Sequence, residues 1–333
     1  MTRFAIFGAG LIGTIHARNI AAHADFTLLH VVDQDIERAK ALADRVGGVA
    51  SDSPEKALND EAVDAVIIGS STSAHEEHVL ACAKAGKAFL CEKPLSDSLS
   101  GSVACVAAAS DAGVISAMGL NRRLDPDLRV MADKIRAGAI GPVETVHFTS
   151  RSLAPPVPES VPFSGGMIRE KGAHFYDLAY WLTASEPIEV FASGACLIDP
   201  RLAEYGDVDT AALIIRFENK ALATFQFGRR SGFGHDELVE VCGAEGMLRG
   251  GRKLSGSVEL HRGQEIIGMG IDTDSYKQFG ASYVDELNVF ARAVAGQGPV
   301  HASLVDGLRA QAVAEAALVS MAQSKAVPIT RVW

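Results

Sequence analysis

Phe4-Ala5-Ile6-Phe7-Gly8-Ala9-Gly10-Leu11-Ile12-Gly13 is the stretch that decides the fold. An apolar run feeds straight into three glycines spaced GxGxxG, and a helix-like segment, Thr14 to Ala24, follows. A strand of this kind delivers the chain to a tight turn whose missing side chains let the backbone approach a pyrophosphate. The helix behind it points free N–H groups and its positive dipole end at that charge. Taken alone the spacing arises by chance in many chains. Here a second apolar run, Thr27 to Val32, ends in Asp33, which follows Gly13 by 20 residues. At that distance a carboxylate can accept both ribose hydroxyls of an adenosine and repel a 2′-phosphate, so NAD is the expected cofactor, on Gly8, Gly10, Leu11, Ile12, Gly13 and Asp33.

Outward from this turn, strand and helix alternate as far as Met118. The runs Ala62–Ile68, Ala88–Cys91 and Val114–Met118 read as strands, and Ile36–Val46, Ala74–Ala85 and Leu99–Asp111 as helices. Right-handed crossovers between such units give a parallel, doubly wound α/β sheet, and strands apolar throughout are those covered on both faces. After Asn121 the texture changes. A helix, Pro126–Ala137, a strand, Pro142–Ser150, a proline-rich loop and a helix from Glu170 to Thr183 lead into a series of strand-like runs from Ile188 to His261. Short turns such as Asn219-Lys220 favour antiparallel pairing, so an α+β unit with an open, largely antiparallel sheet is expected. Helices near Ser282–Ala295 and Leu304–Ser324 follow. The expected division is residues 1–120 for the dinucleotide and 121–333 for substrate and self-association.

A length of 333 residues suits two cores, and 48% hydrophobic with 22% charged residues is an ordinary globular composition. A net charge of −10 without a basic run argues against a nucleic-acid partner. No apolar stretch approaches the ~20 residues that span a bilayer, and a strand beginning within three residues of Met1 leaves no room for a signal peptide. Five cysteines, an odd number without CxxC spacing, suit reduced thiols, and a cytoplasmic location is expected.

Chemistry is sought at the carboxyl ends of the parallel strands. There Glu92-Lys93-Pro94 offers a lysine able to hold a substrate oxygen. Glu170 and His174, four apart on one helix face, offer a histidine oriented by a carboxylate, the usual base for a hydroxyl proton. His75-Glu76-Glu77-His78 lacks the i, i+4 spacing of a zinc site and reads as a solvated helix start, so no metal is expected. Asp97, Asp125 and Asp127 read as turn or capping acids.

Together these pieces resemble the glucose-fructose oxidoreductase and inositol 2-dehydrogenase (Gfo/Idh/MocA) family over essentially the whole chain. The resemblance rests on the glycine turn, Asp33, Cys91-Glu92-Lys93-Pro94, Gly119-Leu120-Asn121-Arg122-Arg123, Gly165-Gly166 with His174 and Asp177, and Gly206-Asp207-Val208-Asp209-Thr210. Ser150-Arg151 and Arg229-Arg230 before Gly232-Phe233-Gly234-His235 resemble the inositol dehydrogenase branch. The resemblance implies Lys93 as catalytic lysine, His174 as base and Glu170 in place of an aspartate. It implies Arg38, Ser70, Thr72, His75, Glu92, Lys93 and Arg122 around the cofactor, and Lys93, Arg122, Ser152, Glu170, His174 and His235 around a cyclic polyol or sugar. Glu170 is one methylene longer than the usual acid, and Lys171-Gly172-Ala173 replaces a more apolar segment. NAD-dependent oxidation of an inositol-like secondary alcohol is therefore expected. A keto-sugar reductase using the same residues, or a dinucleotide-binding regulator without chemistry, are the alternatives. A homo-oligomer, a tetramer by resemblance, is expected to cover the free face of the second sheet.

Overall fold

A computed structural model describes residues 1–274 and 276–333 in full and residue 275 by its backbone. Six strands, β1 (Thr2–Phe7), β2 (Phe26–Val32), β3 (Val49–Ser51), β4 (Ala65–Ile68), β5 (Ala88–Glu92) and β6 (Ser116–Gly119), form one sheet in the order β3-β2-β1-β4-β5-β6. Every pairing in it is parallel. The order reverses between β1 and β4, and a crevice opens beyond the strand ends at such a reversal. Phe4 to Phe7 are fully buried because helices cover both faces: Ala17, Ile20, Ala39 and Leu42 pack on the side of Phe4 and Ile6, and Val79, Cys82, Cys105 and Ala109 on the side of Ala5 and Phe7.

The first of these layers is completed from far along the chain. Leu287, Phe290 and Ala291, on the helix Gly280–Val294, pack into the cluster around Phe4, Ile6 and Phe26. A division at residue 120 follows the order of the strands; the packing of the first sheet extends beyond it.

The second sheet has seven strands, β7 (Val143–Arg151), β8 (Pro187–Ala195), β9 (Thr210–Phe217), β10 (Leu222–Gly228), β11 (Asp236–Gly243), β12 (Gly246–Gly250) and, after an exposed hairpin of β13 (Glu259–Arg262) and β14 (Glu265–Gly268), the short β15 (Val327–Pro328). The order is β12-β11-β7-β10-β9-β8-β15. Pairing is antiparallel except between β7 and β10, which run parallel because β7 is inserted between the later β11 and β10. Short-turn reasoning missed this pair, since it reads neighbours in sequence and β7 reaches its partners by a long excursion. Burial alternates along β8, β9 and β10, the period of a half-covered strand. The helices Gly172–Thr183 and Leu304–Gln323 cover the inner face, where Phe148, Phe225 and Phe227 meet Phe175 and Tyr176. Phe191, Ile214, Leu222 and Met247 stay exposed on the sheet.

The helix expected from Glu170 is two helices, Gly166–Glu170 and Gly172–Thr183, with Lys171 between them. Among the described residues no helix is long and apolar enough to cross a membrane.

Candidate active site

At the glycine turn the backbone dictates the residue. Gly8 has φ +98°, and a Cβ there would lie 2.5 Å from the Ser70 Cα; a Cβ on Gly13 would lie 1.8 Å from the Gly8 carbonyl oxygen. Gly13 sits behind the turn and serves close helix–strand packing, whereas a Cβ on Gly10 would meet no protein atom within 4 Å. The helix Leu11–Ala22 has no side-chain cap, so its first N–H groups remain available to an anion. Asp33 is held by two amides, its Oδ2 accepting from Ala9 N–H (2.8 Å) and its Oδ1 from Asp35 N–H (2.9 Å). Its remaining lone pairs are free for ribose hydroxyls, and the Arg38 guanidinium lies 3.8 Å away. An open turn, uncapped amides and an oriented carboxylate fit the pyrophosphate and adenosine ribose of NAD.

A cleft of about 1070 Å³ runs from this turn between the two sheets. Gly8, Gly10, Leu11, Ile12, Asp33 and Arg38 line its first part, Ser70, Thr72, His75 and Glu92 its middle, and Lys93, Arg122, Ser152, Glu170, His174 and His235 its far part. Residues separated by more than 200 positions are thus gathered in one concavity, and of the expected site residues Gly13 alone stands outside it.

Lys93, just beyond β5, reaches across to the second unit: its Nζ donates to the Glu170 carbonyl oxygen (3.3 Å) and lies 3.5 Å from Glu170 Oε1. Burial disfavours the Glu170 charge, but Lys93, Arg229 and Lys171 more than offset this and hold the carboxyl below its usual pKa. His174 is a free base at neutral pH, because burial, with Arg122 and Lys93 nearby, pushes its pKa well below that of a free imidazole. Its Nδ1 is buried without a hydrogen-bond partner. The carboxylate of Glu170 goes to Lys93, and no hydrogen bond joins it to His174.

Glu92 faces inward: its Oε1 is 2.9 Å from His16 Nε2, and its Oε2 accepts from Lys93 N–H (3.3 Å), tying the lysine backbone to the sheet. The solvated helix start expected at His75 is not what forms. His75 is buried, with Nδ1 2.7 Å from the Pro94 carbonyl oxygen and Nε2 3.1 Å from that of Ser70, because its helix packs on the loop after β5. Its neighbour His78 meets Ser70 Oγ at 3.0 Å. Asp125 caps the helix Pro126–Arg136, as expected, accepting from the Asp127 and Leu128 amides. Asp177 forms a buried pair with Arg123 (2.8 and 2.5 Å) that fixes the site's helix against the strand-end loop.

Several contacts in the cleft carry no sequence signal of their own. Glu237 binds Arg122 (3.1 and 3.3 Å) and His235 (3.1 Å); burial works against its charge, and these partners overcome it, holding the carboxyl far below its usual range. The one hint was that residues 235 and 237 share a face at strand periodicity. Arg122 also stacks on Phe279, its guanidinium carbon 3.2 Å from the ring centroid. Lys171 donates to Ser150 Oγ (3.1 Å) and Ser152 Oγ (2.8 Å), and burial pushes its pKa down to about 8.

Comparison with known proteins agrees with this geometry. Residues 2–120 match the family model described as "Oxidoreductase family, NAD-binding Rossmann fold", and residues 128–249 match the "GFO/IDH/MocA C-terminal domain". The chain is 33% identical to a myo-inositol 2-dehydrogenase of Thermotoga maritima over 99% of both chains. It is 32% identical to an inositol 2-dehydrogenase of Rhizobium meliloti over 98% of this chain and 99% of that one. The crystal structure of a probable dehydrogenase from Thermotoga maritima superposes with a TM-score of 0.94 at 33% identity, covering 98% of this chain and 99% of that one. With both family models in sequence order and a dinucleotide turn opening onto a lysine–histidine cleft, the chain belongs to the GFO/IDH/MocA family of NAD-dependent oxidoreductases.

Proposed function

We propose that the protein oxidises a secondary hydroxyl of a cyclic polyol or sugar of the inositol type. The observation that carries this reading is the meeting in one cleft of Lys93, from the end of a parallel strand, with an uncharged His174 from the opposite unit. Bound NAD supplies the hydride acceptor. The Lys93 ammonium, positioned by Glu170, donates to the reacting oxygen and stabilises the negative charge it gains. His174 takes the hydroxyl proton, a role open to it because it is unprotonated at neutral pH. Arg122, fixed by Glu237 and Phe279, and His235 bound the space in which ring hydroxyls lie. The same groups serve the reverse reduction of a ring ketone. A panel of inositols and pyranoses with NAD, followed by the absorbance of the reduced nicotinamide, is expected to give turnover on at least one member. Tight NAD binding with no turnover on any would assign the chain to a silent dinucleotide-binding role instead.

The reading includes self-association. Phe191, Ile214, Leu222 and Met247 form an uncovered apolar surface on the second sheet, and a homo-oligomer, a tetramer by analogy, buries it. Sedimentation at micromolar concentration is expected to give an assembly; a monomer would contradict it. Five free cysteines accord with a cytoplasmic location.

A further inference from the structure

The cations of the substrate end of the cleft are not all matched by anions. Arg122 is taken by Glu237 at 3.1 Å and Lys93 lies 3.5 Å from Glu170. Lys171 is different. Among the described residues no carboxylate comes within 4.0 Å of its Nζ, which meets only the hydroxyls of Ser150 and Ser152. A second basic group is incompletely used. Arg229 is 5% exposed and lies 3.0 Å from Asp207, but its Nε and Nη2 have no aligned acceptor. Both side chains, and both serines, line the same cleft.

An ammonium withdrawn from water, with hydroxyls as its only direct partners and the Glu237 and Glu170 carboxylates acting from beyond 4.0 Å, is poorly compensated. The depressed pKa of Lys171 expresses that cost. Serine hydroxyls can rotate to donate to an incoming anion, and the Arg229 guanidinium, although buried and paired with Asp207, adds positive charge to the same wall of the cleft. We propose that Lys171, Ser150, Ser152 and Arg229 form a carboxylate subsite beside the reacting alcohol, so that the preferred substrate is an acidic cyclic polyol, of the hexuronate or carboxylated-cyclitol class. The proposal rests on the dehydrogenase reading above and narrows its substrate. A carboxylate seated there supplies Lys171 with a counter-ion in direct contact and orders the ring against Lys93 and His174.

The test compares kcat/KM for glucuronate and galacturonate with that for glucose, galactose and myo-inositol, at saturating NAD. At least one acid is expected to exceed its neutral counterpart by about tenfold or more. Lys171→Met is expected to cut that acid-to-neutral ratio by about 100-fold, chiefly through KM, and Lys171→Arg to restore part of it. NAD affinity and thermal melting of each variant report whether it is folded. A ratio near unity in the unaltered protein, or one that Lys171→Met leaves in place, overturns the subsite. If nothing on the panel turns over, the dehydrogenase reading has failed, and calorimetry on the NAD-bound protein still decides the subsite. Glucuronate binding that is lost in Lys171→Met supports it, and no binding, or binding the variant retains, overturns it.

Discussion

Lys93→Met and His174→Ala are each expected to lower kcat by about 10²–10⁴-fold while NAD affinity changes little. In the proposed reaction the two act on one oxygen. The ammonium of Lys93 is preorganised by the Glu170 carbonyl oxygen and carboxylate, and Glu92 pins the lysine's own amide, so stabilising the developing charge requires no rearrangement. Methionine keeps the length and removes the donor. His174 offers an unprotonated nitrogen, and alanine removes the only uncharged base among the groups placed at the reacting oxygen. Since both serve the same proton departure, the double variant is expected to lose far less than the product of the single losses. Because the His174 pKa lies well below that of a free imidazole, kcat/KM is expected to hold on acidification through pH 6.5 and to fall only at markedly lower pH. Steady-state kinetics with NAD titrations settle the matter: turnover within threefold of the unaltered enzyme in either variant removes that residue from its role.

Asp33→Ser is expected to reverse the cofactor preference. In the folded chain the carboxylate is aimed by the Ala9 and Asp35 amides, and the role proposed for it is to accept the ribose hydroxyls and exclude a 2′-phosphate. Hydrogen bonds to a charged acceptor contribute about 1.5–3 kcal/mol, so its loss weakens NAD binding by about 10–100-fold. NADP gains at the same time, since the repulsion is gone and Arg38, 3.8 Å from the deleted group and half exposed, is left to meet the phosphate. Paired binding titrations measure the ratio. Equal affinity for the two cofactors in the unaltered protein would show that Asp33 does not discriminate between them.

What the chain discloses before it folds follows from how local the requirement is. The glycine turn and Asp33 are legible because a close backbone approach and a ribose acceptor need those residues at that spacing, whatever surrounds them. Lys93 is legible through the tripeptide around it and His174 through helical spacing, although that spacing implied a link to Glu170 that does not form, the carboxylate turning to Lys93 instead. The parallel pairing of β7 with β10, the burial of His75 under the loop after β5, and the Glu237–Arg122 pair depend on segments distant in sequence. No window of neighbouring residues contains them. Lys171 stood out by type, as a lysine where the resemblance implies a more apolar segment, but only the fold puts it among two serines and an arginine.

The helix Gly280–Val294 that closes the first sheet has a consequence for how the molecule is made. On the ribosome, the strands that carry the dinucleotide turn emerge early, while Leu287, Phe290 and Ala291 are still untranslated. At roughly 5–20 residues per second, the nascent sheet waits on the order of ten seconds or more with the surface around Phe4 and Phe26 uncovered. The half that carries the dinucleotide turn is therefore the first to be synthesised and the last to have its packing completed.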